Sequence, residues 1–301
     1  MIGRLRIFLD KRREMKEKRL WLVLFLMSFC VSAQVKGVVV DEKNQPIPYV
    51  SVWVEHENTG TSTEENGSFE IEVKDQNNNL IFLALGFEKQ IIKAAQVDKV
   101  ILKTTTFELN EVLVDNRLET KTKEIGTPKN EMYQAFENGP RIDLKFFPFL
   151  PAYSKTKYIK KVALYCDSRM DDVSIKIHFY KTNEDGLPGE EMTKKDLLFK
   201  LKNGINNNLF DVSSSRLLMP KKGIYVGFEK LIIEKNKIEK KTKDLNNNEI
   251  IKKTYLPYIL YNLEERPFSL TFLNGKWIKK STSNTSQTMV YEPAVKLILT
   301  D

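Results

Sequence analysis

Cysteine and histidine are almost missing from this chain. Its 301 residues hold two of each: Cys30 and Cys166, His56 and His178. Two distant histidines with no HxxE or HExxH spacing exclude the usual zinc-peptidase ligand set. One cysteine in an N-terminal apolar run and one far downstream give no disulfide framework, so a core has to hold the fold. Glycine is also sparse, at 13 residues. There is no GxGxxG, no phosphate-binding P-loop and no G-x-S-x-G nucleophile elbow. Adjacent carboxylates such as Glu64-Glu65 and Glu190-Glu191 make poor acid/base pairs, because neighbours on a strand face opposite ways.

The charge excess is the next thing to disappear on inspection. The chain is +8 overall, but the first 33 residues hold eight Lys/Arg against three Asp/Glu. Residues 34–301 carry 40 basic and 37 acidic side chains, a net +3. That is a mixed surface and not a nucleic-acid footprint. Within the first 33 residues a basic stretch from Arg4 to Arg19 precedes an apolar run of 12, Leu20 to Val31, and then Ser32-Ala33. The run is short of the roughly 18–20 residues that span a bilayer. The pattern predicts a secretory signal peptide over 1–33, cleaved between Ala33 and Gln34, with Met15 as an alternative start. Phe29 before Cys30 is the wrong neighbour for lipidation. The mature chain then has no transmembrane segment, and Cys166, on one strand face with Val162 and Leu164, reads as a buried apolar thiol.

Residues 34–114 show period-two alternation. Val50, Val52 and Val54 alternate with Tyr49, Ser51 and Trp53; Phe69, Ile71 and Val73 alternate with Glu70, Glu72 and Lys74. Asn66-Gly67, Asn44 to Pro46 and Glu57 to Gly60 mark tight turns. Short strands with turns every 8–12 residues predict a β-sandwich. The positions Gly37, Val39 and Asp41, Pro46-Ile47-Pro48, Val50 and Val52, Gly60-Thr61 with Thr63, Asn66-Gly67 with Phe69, and Gly86-Phe87 resemble the carboxypeptidase regulatory-like domain. The resemblance implies a seven-stranded, transthyretin-like sandwich in an exported protein of Gram-negative bacteria, with no catalytic residues of its own. Phe107 to Val114 (FELNEVLV) resembles the segment after this domain in TonB-dependent receptors. Only 187 residues follow Val114, without the alternating aromatic-girdled segments of a membrane barrel, so a plug and barrel are not expected. The segment itself reads as a last edge strand.

Residues 115–131 are polar, with Gly126 and Pro128, and read as a linker or crossing strand. Residues 132–301 alternate again, at Val173 to Phe179, Ile224 to Phe228, Phe268 to Phe272 and Val295 to Leu299. They predict a second, jelly-roll-like sandwich of about eight strands. Here the row Ser174, Lys176, His178 and Tyr180 is expected to face outward. Phe146 to Pro151 reads as a non-regular segment between the domains, and residues 234–253, with seven Lys and four acidic residues, as a solvated hairpin. The Asn183–Gly189 turn lacks the spacing of a calcium loop. The whole is thus expected to be all-β: two sandwiches behind a signal helix.

The residues best suited to contact a ligand are aromatic: Trp53, Trp277, Tyr255 and Tyr258, since exposed rings stack on sugars. No cofactor is expected. Two functions fit the sequence. One is a non-enzymatic envelope protein, in the periplasm, on the outer membrane or at the cell surface, that binds or spaces a protein or glycan partner. The other is an accessory or degenerate hydrolase of the envelope with a carboxylate site in the C-terminal sandwich. A cleft with two carboxylates facing each other across strands separates them.

Overall fold

The computed structural model describes residues 33–105, 119–126, 132–134, 141–281 and 289–301. The expected signal peptide body and the Phe107–Val114 segment lie outside these residues. The described chain is all-β, 58% strand and 5% helix.

The front sandwich has seven strands: β1 (Ala33–Asp41), β2 (Ser51–Val54), β3 (Gly60–Ser62), β4 (Ser68–Val73), β5 (Asn79–Leu83), β6 (Gln90–Lys93) and β7 (Lys99–Leu102). They form a three-stranded sheet, β4-β1-β7, and a four-stranded sheet, β3-β2-β5-β6. β1 pairs antiparallel with β4 and parallel with β7. Between the sheets pack Val39, Val50, Val52, Phe69, Ile71, Leu80, Phe82 and Leu102. The turn residues act as their chemistry requires. Asp41 accepts from the backbone of Lys43 and Gln45, both at 2.8 Å. Gly67 sits at φ +76°, where a Cβ would lie 2.5 Å from the Val39 carbonyl, so no other residue closes this turn without moving the strand beside it.

The second unit runs in chain order through β8 (Thr122–Ile125), β9 (Met132–Gln134), β10 (Ile142–Phe147), β11 (Tyr158–Ser168), β12 (Val173–Thr182), β13 (Pro188–Glu191), β14 (Leu197–Leu201) and β15 (Gly204–Asp211). It continues through β16 (Ile224–Lys230), β17 (Lys237–Lys243), β18 (Glu249–Tyr255), β19 (Tyr258–Glu265), β20 (Ser269–Leu273), β21 (Lys276–Lys280), β22 (Met289–Pro293) and β23 (Val295–Thr300). One sheet has the order β13-β12-β16-β10-β20-β21, with β14 also on β12. The other has the order β22-β19-β11-β23-β8, with β15 on β11 and β9 on β19. Their facing sides enclose the larger core, around Ile159, Leu164, Cys166, Ile175, Ile177, Phe179, Phe228, Leu297 and Leu299. β17 and β18 form a separate, solvated hairpin.

Two expectations change here, and the open reading of residues 115–131 is decided for its described part. Strands are twice as many as the alternation suggests, because pieces of three to five residues are too short to show a period. Within the stretch read as a linker or crossing strand, Thr122–Ile125 pairs with β23. The Pro-broken segment is not wedged between the domains: Phe146 and Phe147 end strand β10, and Phe147 is buried in the core of the second sandwich. The chain leaves the strand only at Pro148.

Candidate functional site at the seam between the sandwiches

The outward row of β12 is not outward. Ser174, Lys176, His178 and Tyr180 are all buried: the front sandwich reaches this face through the Tyr49 carbonyl on Lys176 and Ser51 on Glu229, while Asn236 bonds Ser174 and Trp277 packs on Tyr180. The front sandwich contributes the outer row of β2, so Ser51 and Trp53 are buried on that side while Val52 and Val54 are buried on the other.

Five charged side chains gather in this seam beside Ser51. His178 lies between two carboxylates, its Nδ1 2.9 Å from Glu191 Oε1 and its Nε2 2.9 Å from Glu229 Oε2. Ser51 of the front sandwich donates its hydroxyl to the other oxygen of Glu229. Lys176 donates to Asp196 at 2.8 Å and to the carbonyl of Tyr49, in the front sandwich, at 2.7 Å. β13, β12 and β16 are neighbours in one sheet, which is why Glu191, His178 and Glu229 line up across it.

Burial opposes the charges of His178, Glu229 and Lys176, and pairing outweighs it. Desolvation alone lowers the affinity of His178 for its proton, but Glu191 and Glu229 together raise its pKa to about 10. Desolvation likewise raises Glu229, yet Lys176, His178 and Ser51 bring it down to about 2. Lys176 is held protonated by Glu229 and Asp196 against the same penalty. Burial, then the nearby Glu191 and Glu229, lift the Tyr180 phenol well above its ordinary range.

The arrangement has the two carboxylates across strands that a hydrolase would need, but the imidazole between them occupies one oxygen of each. Both ring nitrogens donate, so neither is left as a base. The Ser51 hydroxyl points to a carboxylate and not to the imidazole, so the two do not make a serine–histidine pair. What the geometry does is fix position: two sandwiches joined by charge-assisted hydrogen bonds. Beside them lies a cleft of about 320 Å³, bordered by Trp53, Gly86, Phe87, Thr105, Tyr180 and Phe272.

A second set of contacts extends the seam. The Leu231–Glu234 stretch after β16 caps the open edge of β3: Ser62 N donates to the Ile232 carbonyl at 3.3 Å, and Ile232 N donates to Ser62 Oγ at 3.2 Å. Glu234 N donates to Glu64 at 2.8 Å, and Tyr49 packs on Leu231 and Ile233. No motif or periodicity in the chain signals this cover.

The aromatic candidates separate. Trp53 is 1% exposed, so its ring faces are closed to a stacking sugar, and its indole nitrogen lacks a hydrogen-bond partner. Trp277 is half-buried, edge-on to Tyr180 and Phe272 at 5.2 and 5.0 Å between centroids. Tyr258 is buried in the second core under Arg169, whose guanidinium carbon is 4.7 Å from the ring centre. Tyr255 borders a different and larger groove, of about 610 Å³, between the hairpin and β4. The four rings therefore do not form one surface. Ala33 and Gln34, the expected cleavage pair, open β1 opposite Val73 and Glu72. His56 is exposed in its turn. Asn183 closes its turn onto the backbone of Asp185 and Leu187, at 3.0 and 2.8 Å. No group of three or more His, Cys, Asp or Glu that could hold a metal occurs among the described residues.

Sequence reasoning also misses a buried cluster at the other end of β10. Asp143 accepts from Arg141 at 2.7 Å, from Tyr261 at 2.5 Å and from Thr271 at 2.8 Å. Close by, Asn262 and Glu292 face each other across β19 and β22, buried, with both amide atoms of Asn262 and one oxygen of Glu292 without a partner.

Comparison with known proteins agrees with the front of this architecture. Residues 35–114, which include most of the front sandwich, match the family model of the CarboxypepD_reg-like domain. The TonB-dependent receptor SusC of Bacteroides thetaiotaomicron is 32% identical over 93 residues, which are 31% of this chain and 9% of the receptor. The chain thus spans a small fraction of that relative. A chain in the structure of infectious bursal disease virus Gx strain aligns over 89% of this chain and 64% of its own, at 9% identity and a TM-score of 0.22. That likeness is too low to carry an argument. Among the described residues no helix is long and apolar enough to cross a membrane.

Proposed function

We propose that the protein is a non-enzymatic exported protein of the bacterial envelope. In this reading two sandwiches locked into one unit bind or space a protein or glycan partner. The observation that carries it is the state of His178. The one buried imidazole, set between two carboxylates at a cleft, has both nitrogens engaged by them, and Glu229 in turn accepts from Ser51 of the front sandwich. The CarboxypepD_reg-like front sandwich and its likeness to a TonB-dependent receptor support an envelope setting, in the periplasm or at the outer membrane.

The test is an activity panel on the full-length protein with peptidoglycan, oligosaccharide and ester substrates, comparing wild-type and Glu191→Gln protein. No turnover is expected from either. Turnover that Glu191→Gln abolishes while the protein stays folded would establish the hydrolase reading instead. An envelope pull-down and a glycan array then identify the partner.

A further inference from the structure

The excess positive charge of residues 34–301 sits in one place. That stretch is +3, with 40 basic and 37 acidic side chains. The β17–β18 ribbon, residues 237–255, holds six lysines against three acidic residues and is itself +3. Without the ribbon, 34 basic and 34 acidic residues cancel. Lys237 is held at the root by Glu234 at 2.6 Å and Glu239 at 3.2 Å. The other five, Lys240, Lys241, Lys243, Lys252 and Lys253, are exposed. The same ribbon carries three large apolar side chains in the open: Leu245 is fully exposed, Ile251 58% and Ile250 43%.

The root of the ribbon is packed and its tip is open. Ile238 lies against the core of the second sandwich. At the turn, the Asp244 carboxylate accepts from the backbone of Asn246 and Asn248, both at 2.8 Å, with Leu245 at the apex. Residues directly opposite each other across a ribbon share a face. One face has Thr242 opposite Ile250, with Lys240 opposite Lys252 behind them. The other has Lys241 opposite Ile251, with Lys253 behind and Glu249 opposite Lys243 towards the turn. Lysines alone would guard an exposed edge, but exposed leucine and isoleucine do the reverse. An apolar tip with a basic collar suits a lipid surface, where aliphatic groups enter the interface and lysines stay with anionic headgroups. Aliphatic side chains offer a sugar no ring to stack on, and a soluble polyanion gives them nothing to bury in. We propose that the β17–β18 ribbon docks the protein on an anionic phospholipid surface, with Leu245, Ile250 and Ile251 entering it and Lys240, Lys241, Lys252 and Lys253 among the headgroup phosphates. This contact is additional to the protein or glycan partner and does not depend on it.

The test uses the full-length protein in a Cys30→Ser background, where Cys166 is buried. A nitrobenzoxadiazole label goes on Asn246→Cys at the tip or, as a control, on Asp185→Cys. Asp185 is exposed beyond the Thr182 end of β12, whereas the root of the ribbon bonds Ser174 near the other end. With vesicles of phosphatidylglycerol and phosphatidylcholine the tip label is expected to shift to the blue and the control label to stay in water. Phosphatidylcholine alone should leave both unchanged. Each lysine contributes about fivefold to affinity for an anionic surface, so Lys240→Gln with Lys252→Gln should weaken binding about 30-fold. Circular dichroism should not change, because both lysines are exposed. A tip label that stays in water on anionic vesicles, an equal shift on neutral ones, or wild-type affinity in the double variant overturns the proposal. Binding to soluble dextran sulfate without a shift on vesicles also overturns it, and assigns the ribbon to polyanionic chains instead.

Discussion

Glu229 bridges two sandwiches: one of its oxygens lies 2.9 Å from His178 Nε2 within its own sheet, and the other accepts the hydroxyl of Ser51 from the front domain. A carboxylate that is almost fully buried has to be paired on both oxygens, and this one draws its partners from both domains. Fold stability and domain orientation therefore depend on the same residue.

Breaking the pair from one side should be costly. Glu229→Gln leaves the buried imidazole with one carboxylate, and His178→Ala leaves two carboxylates facing each other. Each should destabilise by about 3–5 kcal/mol in denaturant unfolding, the usual cost of leaving a buried charge uncompensated. Lys181→Ala removes an exposed partner of Glu190 and should stay within about 1 kcal/mol. Equal effects would mean the seam charges are not coupled.

The pH dependence of this pair has a definite sign. His178 has a folded pKa of about 10 against an ordinary 6.5, so its contribution is full below 6.5 and is lost as pH rises towards 10. Glu229 has a folded pKa of about 2 against 4.5, so its contribution is full above 4.5 and is lost as pH falls towards 2. Both are present together between 4.5 and 6.5. The contribution of this pair should fall on either side of that window, and the His178→Ala variant should lose the part of the alkaline arm that lies between 6.5 and 10.

Glu292 works in the other direction from Glu229. Burial, opposed by Lys145 and Arg266, raises its pKa to about 7. An acid with a raised pKa adds stability below its ordinary 4.5, and that stability is lost as pH rises through 7. Glu292→Gln, which cannot ionise, should narrow the difference in unfolding free energy between pH 5 and pH 8. An unchanged difference would mean that Glu292 is not ionising in that range.

Cys166 should be silent in the native protein. Its thiol is buried, and desolvation pushes its pKa up to about 12 despite a hydrogen bond from Asn208. A thiol reagent should label it only at the rate of unfolding, and rapid labelling under native conditions would contradict this.

The front sandwich is largely legible in the chain because its signals are local. The alternation of Val50, Val52 and Val54, the turn at Asn66-Gly67 and the Asp41 loop each depend on neighbours in sequence. The seam is illegible for the opposite reason. Ser174, Lys176, His178 and Tyr180 alternate with a core row, and alternation reports which residues share a face without saying what covers that face. Trp53 misleads on the same ground: its side of β2 is polar enough at Ser51 to look solvated. One signal is present, in that the row combines Lys176 and His178 with a large aromatic, an unusual composition for a solvent face. Its acidic partners come from β13, β16 and the loop after β13, at separations that no periodicity links.

A double-mutant cycle between Ser51→Ala and Glu229→Gln, read by denaturant unfolding of the full-length protein, probes the joining of the two sandwiches at its closest contact. Hydrogen bonds to charged groups contribute about 1.5–3 kcal/mol, and a coupling energy of about that size is expected between these residues of different domains. Strictly additive losses would show that the two sandwiches are not held together there.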